Sequence, residues 1–262
     1  EMLKHERHPS PIEWLGRVYM EQGKYDDARE RLEEALEAYQ KIEDRYGEAT
    51  ARHHLATIEL HQGGYEEAQA GFEEALRGYQ QIGDRRGEAT ARHQLASVAL
   101  GQGNYGEAQA EFEKVLQIRK QVEDRPGEAA TRYQLATITL DEGNHEAARA
   151  EFLELLRVYQ EIGSRKGEAS ARHCLATIAL RQGRHRKAQS EFAEALQIRQ
   201  QIGDQLGEGQ TFAQLGIVAA AGFERIEEGL RLLHVSYNLL DSMEHAQKEQ
   251  VTLGIQVLVN EL

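Results

Sequence analysis

Fixed landmarks recur every 40 residues along this chain. Gly47, Gly87, Gly127, Gly167 and Gly207 form one series, and Leu55, Leu95, Leu135, Leu175 and Leu215 a second. Ala68, Ala108, Ala148 and Ala188 form a third, and Phe72, Phe112, Phe152 and Phe192 a fourth. A period in this range marks a solenoid, in which each unit buries its apolar face only against its neighbours. A chain of 262 residues then needs no single large core, because the core lengthens along one axis.

Residues 47–86 show the unit in physical terms. Gly47-Glu48 opens a helical pattern with Ala51, Leu55, Ile58 and Gln62 on one face. Gly63 follows, with Gly23, Gly103, Gly143 and Gly183 in register, where a left-handed turn ends a helix. A second helix is expected from Tyr65, with Ala68, Phe72, Ala75, Leu76 and Tyr79 inward, ending at Gly83-Asp84-Arg85. Because Glu43 and Glu123 stand where Gly83 does, that position is not expected to demand a positive φ. Pro126 falls in the same link, where helices are expected to stop. Small residues at 56, 68 and 75 let two helices approach closely, with Phe72 between them. The pairs Glu48–Arg52, Glu88–Arg92, Glu128–Arg132 and Glu168–Arg172 have the favourable i,i+4 order and read as surface support.

Charge narrows the partners. The net charge is -13, with 29% charged and 6% aromatic residues. That balance works against nucleic acid, whose phosphates need a basic track, and against anionic membranes. Cys174 is the lone cysteine, so no internal disulfide forms, which suits a cytoplasmic setting. No run of 18 apolar residues predicts a membrane span. The first residues are too polar for a signal peptide. The chain opens without Met and closes inside the apolar stretch 251–262. Both features fit a segment of a longer protein.

The pattern Leu55-Ala56, Gly63-x-Tyr65-x-x-Ala68, Phe72, Ala75 resembles the tetratricopeptide repeat. Leu15-Gly16, Tyr19, Gly23-x-Tyr25-x-x-Ala28 and Ala35 repeat it at the start. The standard unit has about 34 residues. The longer period and the link Ile82-Gly83-Asp84-Arg85-x-Gly87-Glu88 are similar to a subclass that includes Pins/LGN polarity adaptors and sensor arrays of bacterial signalling proteins. The resemblance implies an all-α, right-handed superhelical solenoid of antiparallel helix pairs. Its repeats would lie near 9–45, 46–85, 86–125, 126–165, 166–205 and 206–243, with residues 244–262 as a C-terminal half repeat or cap, all in one domain over 1–262. Repeat six is one residue longer between Leu215 and Gly229. Val251, Ile255, Leu258 and Val259 make a stripe expected to pack partly on repeat six and partly on something else.

The resemblance also implies a protein- or peptide-binding scaffold, with first helices lining a concave groove. Mapped onto this sequence, one column is Thr50, Thr90, Ala130 and Ser170, and the next is His53, His93, Tyr133 and His173. A third is His54, Gln94, Gln134 and Cys174, a fourth Thr57, Ser97, Thr137 and Thr177, and a fifth His61, Gly101, Asp141 and Arg181. Most of these side chains are neutral, so the groove suits hydrogen bonding to a peptide better than holding a strongly charged ligand. The alternative is a regulatory sensor region of a larger bacterial signalling enzyme, a STAND ATPase or a protease, contacting its ligand or its own catalytic domain. The C-terminal stripe offers a surface for self-association or for such an intramolecular contact.

No constellation of residues predicts catalysis, a metal or a cofactor. The histidines lack carboxylate or thiolate partners at ligand spacing. The column His53/His93/His173 is expected to protonate near pH 6 and alter groove charge. Cys174 lacks a positioned base. Arg181, Arg184, His185, Arg186 and Lys187 cluster at one hairpin, a solvated turn or a contact for an acidic partner or phosphate.

Overall fold

The computed structural model describes residues 11–223, 225–242 and 247–260. Among these residues the chain is all α-helical: α1 Pro11–Glu21, α2 Tyr25–Lys41, α3 Arg45–His61, α4 Tyr65–Ile82, α5 Arg85–Gly101, α6 Tyr105–Gln121, α7 Arg125–Asp141, α8 His145–Glu161, α9 Arg165–Arg181, α10 His185–Ile202, α11 Gln205–Ile217, α12 Ile226–Ser242 and α13 Lys248–Asn260. A π-helical turn, Val218–Gly222, follows α11. The chain divides at Thr131/Arg132 into two compact units.

In the first unit each helix from α1 to α6 packs on the next in sequence. The core is a row of small clusters rather than one centre. Ala28, Leu32 and Ile58 form one, Ala56, Ala68, Phe72 and Val98 another. Each joins a helix pair to the first helix of the following pair. Phe72 and Phe112 are fully buried, each contributing about 1.5–3 kcal/mol by burial. Small residues permit the approach: a methyl added at Gly71 would lie 2.7 Å from the Ala56 Cβ. The second unit repeats this logic from α8 to α13. There Phe192 is buried with Ala176, Ala179, Ala188 and Val218.

The links are more exacting than the sequence pattern indicates. Asp44, Asp124, Ser164 and Asp204 cap the following first helix by accepting the backbone N–H of Gly47, Gly127, Gly167 and Gly207 at 3.0–3.3 Å. The first helices therefore open two residues before those glycines. Pro126 sits in the first turn of α7 and starts that helix, where its missing N–H costs nothing. The position of Gly83 does require a positive φ, contrary to expectation. Gly83, Gly163 and Gly203 lie at φ 69–73, and Glu43 and Glu123 adopt φ 57 and 55. The glutamates thus hold a left-handed conformation that disfavours side chains.

Repeat six absorbs its extra residue in the π-helical turn at 218–222. The turn brings Phe223 onto the cluster around Phe192 and against the His185 ring, with centroids 6.4 Å apart. In α13, Val251, Ile255 and Leu258 pack with Leu233 and Leu240 of α12, while Leu253, Val257 and Val259 are exposed.

Candidate functional site

The five columns of first-helix residues differ sharply in their surroundings. His53, His93, Tyr133 and His173 lie edge-on or tilted against Phe72, Phe112, Phe152 and Phe192, with ring centroids 5.0–5.5 Å apart. This column is a structural ladder. Burial pushes His53 and His93 down to about 4 and His173 to about 3, with Arg119 adding to the effect at His93 and Arg199 at His173. Desolvation thus holds these three rings neutral well below the pH near 6 at which the sequence alone leads one to expect protonation. His54 is lowered to about 3 by burial, with His53 and Arg17 adding to it. Its Nε2 lies 3.8 Å from the buried Glu13 carboxylate, which also accepts from the Tyr39 hydroxyl at 2.6 Å.

The hydroxyl columns stay on the helix surface. Thr57, Ser97, Thr137 and Thr177 donate to the carbonyls of His53, His93, Tyr133 and His173 at 2.8–3.0 Å. Thr50 and Thr90 likewise donate to Tyr46 and Arg86 at 3.0 Å. Each oxygen keeps acceptor capacity for a ligand N–H. Gln94, Gln134 and Ser170 are half-buried. His61, Asp141 and Arg181 are exposed in the last turn of their helices, and the His61 ring stacks on Tyr25 with centroids 5.7 Å apart. Cys174 is buried, its Sγ 3.2 Å from the Tyr133 hydroxyl. Burial pushes its thiol up to about 11, so it stays protonated and is a poor nucleophile.

In the second unit these positions open into a cleft of about 300 Å³ lined by His173, Gln210, Ala213, Gln214, Ile217, Leu233, Leu240, Gln247, Gln250, Val251 and Gly254. Gln210, Ala213, Gln214 and Ile217 stand 40 residues beyond Ser170, His173, Cys174 and Thr177. The cleft is thus the continuation of the same columns into repeat six, which the sequence reading did not follow past Arg181. Leu233 and Leu240 give it an apolar floor. Gln210 Nε2 donates to Gln247 Oε1 at 3.0 Å. Gln214 and Gln250 leave their amides without a partner among the described residues. Among the described residues no group of three or more His, Cys, Asp or Glu converges to hold a metal ion. None of the described helices is long and apolar enough to cross a membrane.

The family model of the tetratricopeptide repeat matches residues 10–81, 87–161 and 167–241. The chain belongs to the tetratricopeptide repeat family. Compared with curated proteins, the sequence gives no match. Among solved structures, BtubC (BKLC) from P. vanneervenii is 20% identical with a TM-score of 0.64, over 90% of this chain and 93% of that one. A signal transduction ATPase with numerous domains (STAND) from Pyrococcus horikoshii, which carries a tetratricopeptide repeat sensor, is 15% identical with a TM-score of 0.72. That match covers 98% of this chain but only 44% of the ATPase. NprR in complex with its cognate peptide NprX is 14% identical with a TM-score of 0.69, over 94% and 68% of the two chains. At these identities the likeness is one of fold.

Within this tetratricopeptide array the repeats are of two kinds, a distinction the periodic reading passed over. Tyr39, Tyr79 and Tyr159 lie across Gly47, Gly87 and Gly167, where any methyl would overlap the ring. Arg119 and Arg199 take that place over Gly127 and Gly207. Arg119 donates to the Gly127 carbonyl and Thr131 Oγ1 at 2.6 and 2.7 Å, and Arg199 to Gly207 and Thr211 at 2.5 Å. The sequence signal was present: Thr131 and Thr211 accompany the arginines, and Ala51, Ala91 and Ala171 accompany the tyrosines. The Glu–Arg pairs are also more than surface support. Glu88 and Glu168 are buried. Arg92 and Arg172 carry them onward to Glu111 and Glu191 of the paired helices at 3.0 Å.

Proposed function

We propose that this tetratricopeptide array is a non-catalytic recognition module that holds an extended, largely uncharged peptide segment of a protein partner against its first helices. The observation that carries this reading is the cleft at α9, α11, α12 and α13. It combines an apolar floor, a neutral imidazole and glutamine amides, a composition suited to one apolar side chain and the flanking backbone. Thr50, Thr57, Thr90, Gln94, Ser97, Gln134, Thr137, Ser170 and Thr177 supply further hydrogen-bonding positions in their respective units. The tetratricopeptide fold is generally a scaffold without catalysis of its own. The solved complex of NprR with a peptide supports the same mode for this chain. Cytoplasmic residence fits the single, unpaired cysteine.

A second reading is favoured by one observation: the fold matches less than half of a STAND ATPase that carries a repeat sensor. On that reading the array is the sensor of a larger signalling enzyme, and the peptide segment belongs to its activator or to its own polypeptide. The test is selection of displayed random peptides on the wild-type chain and on the variant Gln210→Ala/Gln214→Ala. The account expects enriched peptides that bind the wild type and lose about tenfold or more on the variant, whose melting is unchanged. Equal binding by both proteins contradicts the cleft.

A further inference from the structure

From its surface charge we infer a second interaction site, apart from the cleft of repeat six: the α9–α10 corner, which takes in Arg181 at the end of the fifth column, docks an acidic segment of a partner protein. Four cations, Arg181, Arg184, Arg186 and Lys187, fall within residues 181–187 without one acid. The corresponding turns at 21–27, 61–67, 101–107 and 141–147 each carry one to three acids. All four cations are exposed, and none forms an ion pair among the described residues. Elsewhere among the described residues many arginines are paired, through contacts such as Arg92 with Glu111 and Arg172 with Glu194, and the unpaired Arg45, Arg77 and Arg86 are spread among acids rather than clustered.

The corner is built against local helix stability. Arg184 occupies the N-cap position of α10 and makes no capping hydrogen bond, as is also true of Lys24, Gly64 and Asn104 in the equivalent places, so the first turn rather than the cap sets this helix apart. The first turn of α10 holds no acid, while α2, α4, α6, α8 and α12 all begin with one or two. Placing Arg186 and Lys187 there sets positive charge against the positive end of the helix dipole. A surface that gives up dipole complementarity on a chain of net charge -13 is accounted for by a partner that supplies the missing negative charge.

The shape narrows that partner. Arg149 of α8 joins Arg184 and Lys187 around a shallow hollow floored by Leu153, Leu175 and Ala179. Glu191 borders it but is held by Arg172 at 3.0 Å, and Glu146 is engaged by Gln182 at 2.9 Å. The surface fits a short segment that presents carboxylates beside an apolar side chain. Its small extent and acidic surroundings disfavour a long polyanion, whose binding needs a continuous basic track.

The test uses a fluorescent twelve-residue peptide alternating Glu with Leu, its Gln-for-Glu counterpart, and a single-stranded oligonucleotide of similar length. Wild type is expected to bind the Glu peptide in a salt-dependent manner, and the Gln peptide at least about tenfold more weakly. The variant Arg186→Glu/Lys187→Glu is expected to lose that binding while melting at the same or a higher temperature, because it restores an acidic first turn. That combination separates docking from a merely structural role. Preference for the oligonucleotide, equal binding of the Glu and Gln peptides, or unchanged binding by the variant would overturn the inference. So would self-association of the wild type that the charge reversal abolishes, since the acidic segment would then belong to a second copy.

Discussion

At the residue scale, the links between repeats concentrate the strain of the fold. Glu43 and Glu123 adopt φ 57 and 55 where three other repeats use glycine. Replacing either by glycine should stabilise the chain by about 0.5–1 kcal/mol, read as a shift of the urea midpoint. Unchanged or reduced stability would mean that these glutamates hold compensating contacts. The tyrosine and arginine repeats give a second test. Arg119→Tyr alone places a ring against Thr131, whereas Arg119→Tyr with Thr131→Ala recreates the pairing of Tyr79 with Ala91. The double variant should therefore be more stable than the single by about 1 kcal/mol, and a cycle with no coupling contradicts the pairing. The periodic glycines were plain in the sequence, yet their cause was not. A glycine required by a ring from the preceding helix looks the same in one dimension as a glycine required by a turn.

At the scale of the element, helix pairs and their order were legible because buried small residues recur in register at 56, 68 and 75. Helix starts were displaced by two residues, since the capping Asp or Ser belongs by pattern to the previous helix but by hydrogen bonding to the next. The insertion in repeat six was visible as a length. That a π-helical turn absorbs it depends on where Phe223 finds a pocket, which spacing alone does not reveal. The C-terminal helix divides cleanly into an inner row and an outer row. Val251→Ala should cost about 2 kcal/mol through lost contact with Leu233 and Leu240. Leu253→Glu with Val257→Glu should change stability by less than about 0.5 kcal/mol, because both side chains are exposed. A large loss in the outer-row variant would show that this face is covered in solution.

At the scale of the whole molecule, the buried histidines make stability depend on acid. In the unfolded chain these rings titrate near 6.5; in the folded chain they are held at about 4 for His53 and His93 and about 3 for His173. The unfolded form thus binds protons first. Stability is full above about pH 6.5 and falls as the pH drops toward 4, by about 1 kcal/mol or more per ring. His93→Tyr, which copies Tyr133 of the next repeat, should flatten that fall. A wild-type profile flat from pH 6.5 to 4.5 would contradict the ladder. The groove columns were legible as positions, but only the surroundings separate a ring that supports Phe112 from an amide free to meet a ligand.

The central claim is that recognition occurs on the first helices. Hydrogen exchange of the chain with and without a peptide selected on it tests this most directly. The account predicts added protection in residues 170–177, 210–217 and 247–254, around the cleft. Protection confined to α8 and α10, neither of which lines the cleft, would contradict it.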